Sequence, residues 1–228
     1  MAEQRRAQEI RDSESGARER LMSAAERLWA EEGLGAVSLN RIRKEAGERN
    51  ASAINYHFGS ERDLLLAVLR RHWHRIARQR RELLALVDVK GDRRIALRGL
   101  VEAMVIPFAA TLSSPEQPSC YVQLLAQWYR SAAWRNQQAM KSWGDNAVPE
   151  ARRMAVAILD DLPPWIVEQR MRFAISLGTN ALADWERVER RPERPASHLP
   201  REVMVALLID SHVGLLAAEC TDWLAQWR

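Results

Sequence analysis

SLNRIRKEAGERNASAINYHFGS, residues 38–60, breaks into two short pieces of helix length on either side of Gly47. Ser38 is placed to cap a helix that runs to Ala46, with Leu39, Ile42 and Ala46 as its apolar positions. Gly47 can take the positive φ that ends a helix and turns the chain. A second piece is expected over Asn50–His57, and Ser60 then opens another helix with Asp63 three residues past the cap. Helices this short are not stable alone in water, so both must pack on longer neighbours. A long helix, a short one, a glycine turn and a second short one make the helix-turn-helix plan.

The side chains of the second piece suit a nucleic acid. Arg49, Asn50, Ser52, Asn55, Tyr56 and His57 cluster there. Asn can pair bidentately with adenine and Arg with guanine, while Tyr, Ser and His reach phosphate oxygens. Ser38, Arg41 and Lys44 of the first piece and Arg62 beyond Ser60 complete the expected DNA-contacting set. An aromatic core cluster is the plainer account of Tyr56-His57-Phe58; it is adopted for Phe58, which is assigned to the core. Charge points the same way. Net charge is only +4, but residues 1–90 hold eighteen Lys/Arg against fourteen Asp/Glu, whereas residues 91–228 balance at sixteen each. Between Ser38 and Arg81 the local excess is +7, the footprint of a polyanion partner or, more simply, of a solvated helix face.

Outward from this segment the helical period continues in both directions. Ala17, Leu21, Ala24 and Leu28 form one apolar face of a helix that Gly33 ends. Leu64, Leu65, Val68, Leu69, Trp73 and Ile76 form the face of a long helix ending near Val87. Five more helices are expected at about 92–112, 119–140, 147–161, 164–190 and 200–227, separated by Ser113-Ser114-Pro115, Gly144-Asp145-Asn146, Pro163-Pro164 and the Pro-rich linker 191–200. No period-two alternation occurs, so the expected class is all-α with about nine helices. The expected domains are a flexible tail over 1–14, a helix-turn-helix head over 15–63, and a body over 64–228 for effector binding and dimerisation.

Residues 15–70 resemble the TetR family of transcriptional regulators. The resemblance is carried by Ala24-Ala25-Glu26-Arg27-Leu28-Trp29-Ala30-Glu31-Glu32-Gly33, Val37-Ser38-Leu39, Ile42, Ala46-Gly47, Tyr56-His57-Phe58-Gly59-Ser60 and Leu64-Leu65. It covers under a third of the chain, and as a linked set with correct spacing it is fairly specific. It implies a homodimeric DNA-binding protein, by family default a repressor, whose last two helices form a four-helix bundle across a two-fold axis. Two such heads about 34–36 Å apart would read a near-palindromic operator in double-stranded DNA. Two departures stand out. The stretch between Gly47 and Tyr56 is one residue longer than the commonest family spacing, so the turn is expected to be wider. Glu61 stands where the family often has Lys, which hands that role to Arg62.

The body offers two further expectations. A pocket for an unknown small effector, apolar or aromatic, is expected among Met104, Phe108, Tyr121, Leu124 and Leu125, together with Trp128, Trp134, Trp143 and Phe173. Ordinary bundle core is the alternative for each of them. The last helix has apolar residues on two sides, Val203, Leu207, Gly214 and Ala217 on one and Val205, Ile209, His212, Leu216, Cys220 and Trp223 on the other. A surface helix needs one stripe, so two imply an internal helix or one shared with a partner. Small residues Gly178, Ala181, Gly214, Ala217 and Ala218, with Leu207, are the expected dimer contacts.

Other chemistries find no support. There is no phosphate loop, no dinucleotide fingerprint, no H-E-x-x-H and no visible catalytic triad, so no enzyme activity, cofactor or metal is expected. His72 and His74 are two apart and do not share a helix face; with Arg70, Arg71 and Arg75 they are expected on a solvated basic face. No apolar run approaches a membrane span and no secretory signal is visible; Cys120 and Cys220 lie far apart, which suits a reducing cytoplasm. Two rival readings remain: a helical enzyme or small-molecule carrier that has lost DNA binding, and a DNA-binding regulator without an effector.

Overall fold

The structure, a computed structural model, describes residues 2–114, 118–130 and 147–221, with side chains from residue 14 onward. Among the described residues there are nine helices and no strand. They are α1 (Ala2–Glu32), α2 (Leu39–Glu45), α3 (Ala53–Phe58), α4 (Glu61–Leu84), α5 (Arg93–Ala109), α6 (Tyr121–Arg130), α7 (Ala147–Ile158), α8 (Pro164–Glu189) and α9 (Arg201–Ala217). The all-α class is as expected. Two ends differ. Residues 2–14, expected as a tail, continue α1 as helix. The last helix stops at Ala217, where Ala218 leaves helical geometry at ψ 139.

The chain folds as two compact units, Met1–His72 with Ser113–Met140, and Trp73–Leu112 with Lys141–Arg228. The division falls inside α4, one continuous helix from Glu61 to Leu84. In the first unit α1 buries Leu21, Met22, Ala25, Leu28 and Trp29 on one face. Against this helix pack α2, which buries Ile42, and α6, which buries Tyr121, Val122, Leu124 and Leu125. Ala53 and Ile54 are the buried residues of α3. Burying an Ile or Leu side chain is worth about 1.5–3 kcal/mol, which is what holds a seven-residue helix such as α2 in place.

In the second unit α5 packs on α7 and α9, and α8 packs on α7 and α9. The α8–α9 contact is close because Gly178 has no side chain: a Cβ there would stand 3.0 Å from His212 Nε2. His212 is buried between the two helices, with Nδ1 2.7 Å from Leu208 O and Nε2 2.7 Å from Ala174 O. Gly178, expected at a dimer contact, thus serves packing inside the protomer. Each of these two helices also exposes large apolar side chains. Phe173 and Leu177 on α8 are 54% and 42% exposed, and Val203 and Leu207 on α9 are 44% and 49% exposed. Gly214, Ala217 and Ala218 are also exposed, and Ala181 is half-buried.

Candidate nucleic-acid interface

The turn between α2 and α3 is built from backbone geometry first. Ser38 caps α2, its Oγ accepting from the Arg41 N–H at 3.3 Å. At the other end Gly47 takes φ +71, and its N–H donates to Lys44 O while the Glu48 N–H donates to Arg43 O, each at 3.0 Å. These bonds close the helix through a left-handed residue, a conformation that glycine takes without a steric penalty. Arg43, half-buried, braces the turn: its guanidinium donates to Glu48 O, to Arg49 O at 3.1 Å and to Asn40 Oδ1 at 2.9 Å. No sequence signal pointed to this bracing role.

The second short helix starts later than expected, at Ala53 and not Asn50. Asn50 Oδ1 accepts from the Ser52 N–H at 2.9 Å and its carbonyl accepts from the Ala53 N–H at 3.1 Å. An Asn that folds back onto the backbone two residues on makes an Asx turn, and this one delays the helix. Arg49, Asn50 and Ser52 consequently precede the helix, and Ser52 forms no side-chain cap bond. Asn55 and Tyr56 project from α3 itself and are exposed, Tyr56 at 69%. His57 is half-buried, with its ring edge-on to Tyr56 at 5.0 Å. Phe58, assigned to the core from sequence, is only half-buried, and the guanidinium of Arg18 lies 5.0 Å over its ring.

The cations divide into two groups. Arg41 is committed to Glu32 at 2.7 Å, so its expected phosphate contact competes with an ion pair. Arg20 pairs with Glu48 at 2.6 Å and Arg27 with Glu45, tying α1 to α2 and the turn. Among the described residues Lys44, Arg49 and Arg62 are exposed and make no ion pair. They occupy the end of α2, the turn and the first turn of α4, on both sides of α3 in sequence. Ser60 caps α4, its Oγ accepting from the Asp63 N–H at 3.1 Å and donating to Asp63 Oδ2 at 2.6 Å. With Glu61 and Asp63 in its first turn, this helix end is satisfied by its own carboxylates.

Behind the interface lies a polar centre that sequence reasoning placed elsewhere. Arg71 and His72, expected on a solvated face, both bond the buried carboxylate of Glu26, His72 Nε2 at 3.0 Å from Oε2. Glu26 Oε1 accepts from the Cys120 N–H at 2.7 Å and from Ser119 Oγ at 3.1 Å. The His72 ring also stacks on Tyr121 at 4.4 Å. Burial pushes the Glu26 carboxyl up, but the hydrogen bond and charge of His72, the charge of Arg71 and the Cys120 N–H outweigh it and bring the pKa down from 4.5 to about 2.

The expected effector set is divided. Tyr121, Leu124, Leu125 and Trp128 are buried in the first unit, and Met104 and Phe108 are half-buried in the second. Phe173 is an exposed side chain of the apolar strip on α8, which corrects its assignment to a pocket wall. Trp134 and Trp143 lie outside the described residues. Among the described residues no group of three or more His, Cys, Asp or Glu is placed to hold a metal ion, and no helix is long and apolar enough to cross a membrane.

Residues 21–68 match the family model described as bacterial regulatory proteins, tetR family. The fold is shared along nearly the whole chain with solved transcriptional regulators. A TetR family transcriptional regulator, PfmR, from Thermus thermophilus superposes with a TM-score of 0.56 at 20% identity over 88% of this chain and 99% of that one. The fatty acid degradation regulator FadR from Bacillus halodurans gives 0.56 at 16% identity over 89% and 99%. A transcriptional regulator from Rhodococcus gives 0.50 at 19% over 87% and 95%. No curated protein matches the chain. The head thus matches the tetR family model, and the described chain shares its fold with these solved regulators.

Proposed function

We propose that this protein is a homodimeric transcriptional regulator, a repressor by type, that docks α3 in the major groove of a near-palindromic operator. The observation that carries this is the composition of α3 and its flanks. Ala53 and Ile54 anchor a six-residue helix while Asn55 and Tyr56 are exposed, and unpaired Lys44, Arg49 and Arg62 flank it in sequence. In this reading Asn55 reads a base edge, Tyr56 and His57 with Ser38 and Ser52 contact phosphates, and Lys44, Arg49 and Arg62 neutralise the backbone. Asn50 and Arg41 contribute through turn geometry and an ion pair before any DNA contact.

Dimerisation belongs to the same proposal. The uncovered strip of Phe173, Leu177, Val203 and Leu207, with small Gly214, Ala217 and Ala218 on the same two helices or at their ends, supports a helix-pair interface with a second copy. An apolar or aromatic effector, favoured by half-buried Met104 and Phe108, would release the operator by binding the DNA-free arrangement more tightly than the DNA-bound one.

Titration of a labelled mixed-sequence duplex at several salt concentrations tests the interface. Affinity is expected to fall steeply as salt rises, and Lys44→Ala or Arg49→Ala should each flatten the log–log slope by roughly one. A slope near zero in the unaltered protein refutes DNA docking by this face.

A further inference from the structure

The first helix reaches beyond the part of the head that it supports. It begins at Ala2, and on the stretch before the buried face Glu14 and Arg18 stand four residues apart on one side of the helix. Both touch α3. Arg18 lies over the Phe58 ring at 5.0 Å, and Glu14 Oε1 accepts the Tyr56 hydroxyl at 2.8 Å. Both members of the Tyr56–Glu14 bond are exposed, so neither is held there by burial.

We propose that the Glu14 carboxylate stands in for a DNA phosphate on the Tyr56 hydroxyl, so that the N-terminal stretch of α1 gates the affinity of the head for DNA. The inference rests on the reading of Tyr56 as a phosphate contact. A phenol has one O–H to donate, so it serves the carboxylate or a phosphate, not both. A carboxylate oxygen offers an acceptor of the same charge sign and similar reach as a phosphate oxygen. The occupied hydroxyl also brings a fixed negative charge to the surface where polyanion must approach, and docking must move that charge away. The contact leaves a signature in the protein alone: the hydrogen bond and charge of Glu14 hold the Tyr56 proton more tightly, raising its titration above the ordinary tyrosine value.

The test uses the full-length protein, a labelled mixed-sequence duplex and a four-member cycle of wild type, Glu14→Ala, Tyr56→Phe and the double variant. Removing Glu14 is expected to tighten DNA binding by roughly three- to ten-fold, the range that one hydrogen bond sets. That gain should largely vanish in the Tyr56→Phe background. Ultraviolet titration of the free protein, with the Tyr56 phenol assigned by its loss in Tyr56→Phe, should show that phenol shifting down in Glu14→Ala. No gain, an equal gain in both backgrounds, or an unmoved phenol would each overturn the gate. A wild type that binds duplex without salt dependence overturns the DNA reading itself, and is recognised before any variant is made.

Discussion

Glu26 is 3% exposed, yet it keeps its charge because four donors surround it, Arg71 and His72 on Oε2 and Ser119 and the Cys120 amide on Oε1. Breaking a buried charged cluster from one side leaves the others unpaired, so Glu26→Ala should cost about 3–5 kcal/mol in urea unfolding. The sign of the pH effect follows from the lowered pKa. Stability due to this carboxylate is complete above its unfolded value of 4.5 and is lost as pH falls toward 2, amounting to about 3 kcal/mol in all. The stability gap between wild type and Glu26→Gln should therefore narrow over that interval; a gap independent of pH would show that the charge contributes nothing. None of this was legible in the sequence. Glu26 reads there as one letter of a helix motif, because its partners lie 45 to 94 residues away. Arg71 and His72 look like a solvated face for the same reason.

At the scale of elements, helical period located every described helix, while local side-chain chemistry set the ends. The bounds of α2 were readable to within a residue because Ser38 and Gly47 are strong signals on their own. The start of α3 was not, because Asn50 can serve either as a first helical residue or as an Asx turn, and only the bond to the Ser52 N–H decides it. This gives Asn50 a role that is separable from base contact. Asn50→Ala should destabilise the head by about 1 kcal/mol, whereas Asn50→Asp, which keeps an acceptor, should stay close to wild type in thermal unfolding. Equal losses in the two variants would show that the turn does not depend on Oδ1. Gly178 shows the opposite kind of misreading. A small residue at helix spacing announces close packing but not whose helix is close, and here it is α9 of the same chain.

For the molecule as a whole, the uncovered strip on α8 and α9 makes the strongest demand. Four large apolar side chains from 42% to 54% exposed on two neighbouring helices are a poor surface for a monomer. Leu207→Arg should break the proposed dimer, giving a monomer in sedimentation, and weaken DNA binding with it. Retention of the dimer would place the interface elsewhere. The all-α class and the head were legible because they depend on period and short-range motif. The body was less so: Phe173 and its neighbours are apolar whether they line a cavity or meet a second chain, and composition does not separate the two.

The Glu26 centre also bears on the order in which the protein can be finished. Its Oε1 is served by Ser119 and Cys120, which leave the ribosome about ninety residues after Glu26 itself. Until they emerge, the head holds a carboxylate with half its donors missing, although every residue of the helix-turn-helix is already made. The head thus matures only when half the chain exists. Grafting residues 1–72 onto a foreign body would transplant the proposed DNA-facing surface but leave behind the two groups that complete its interior.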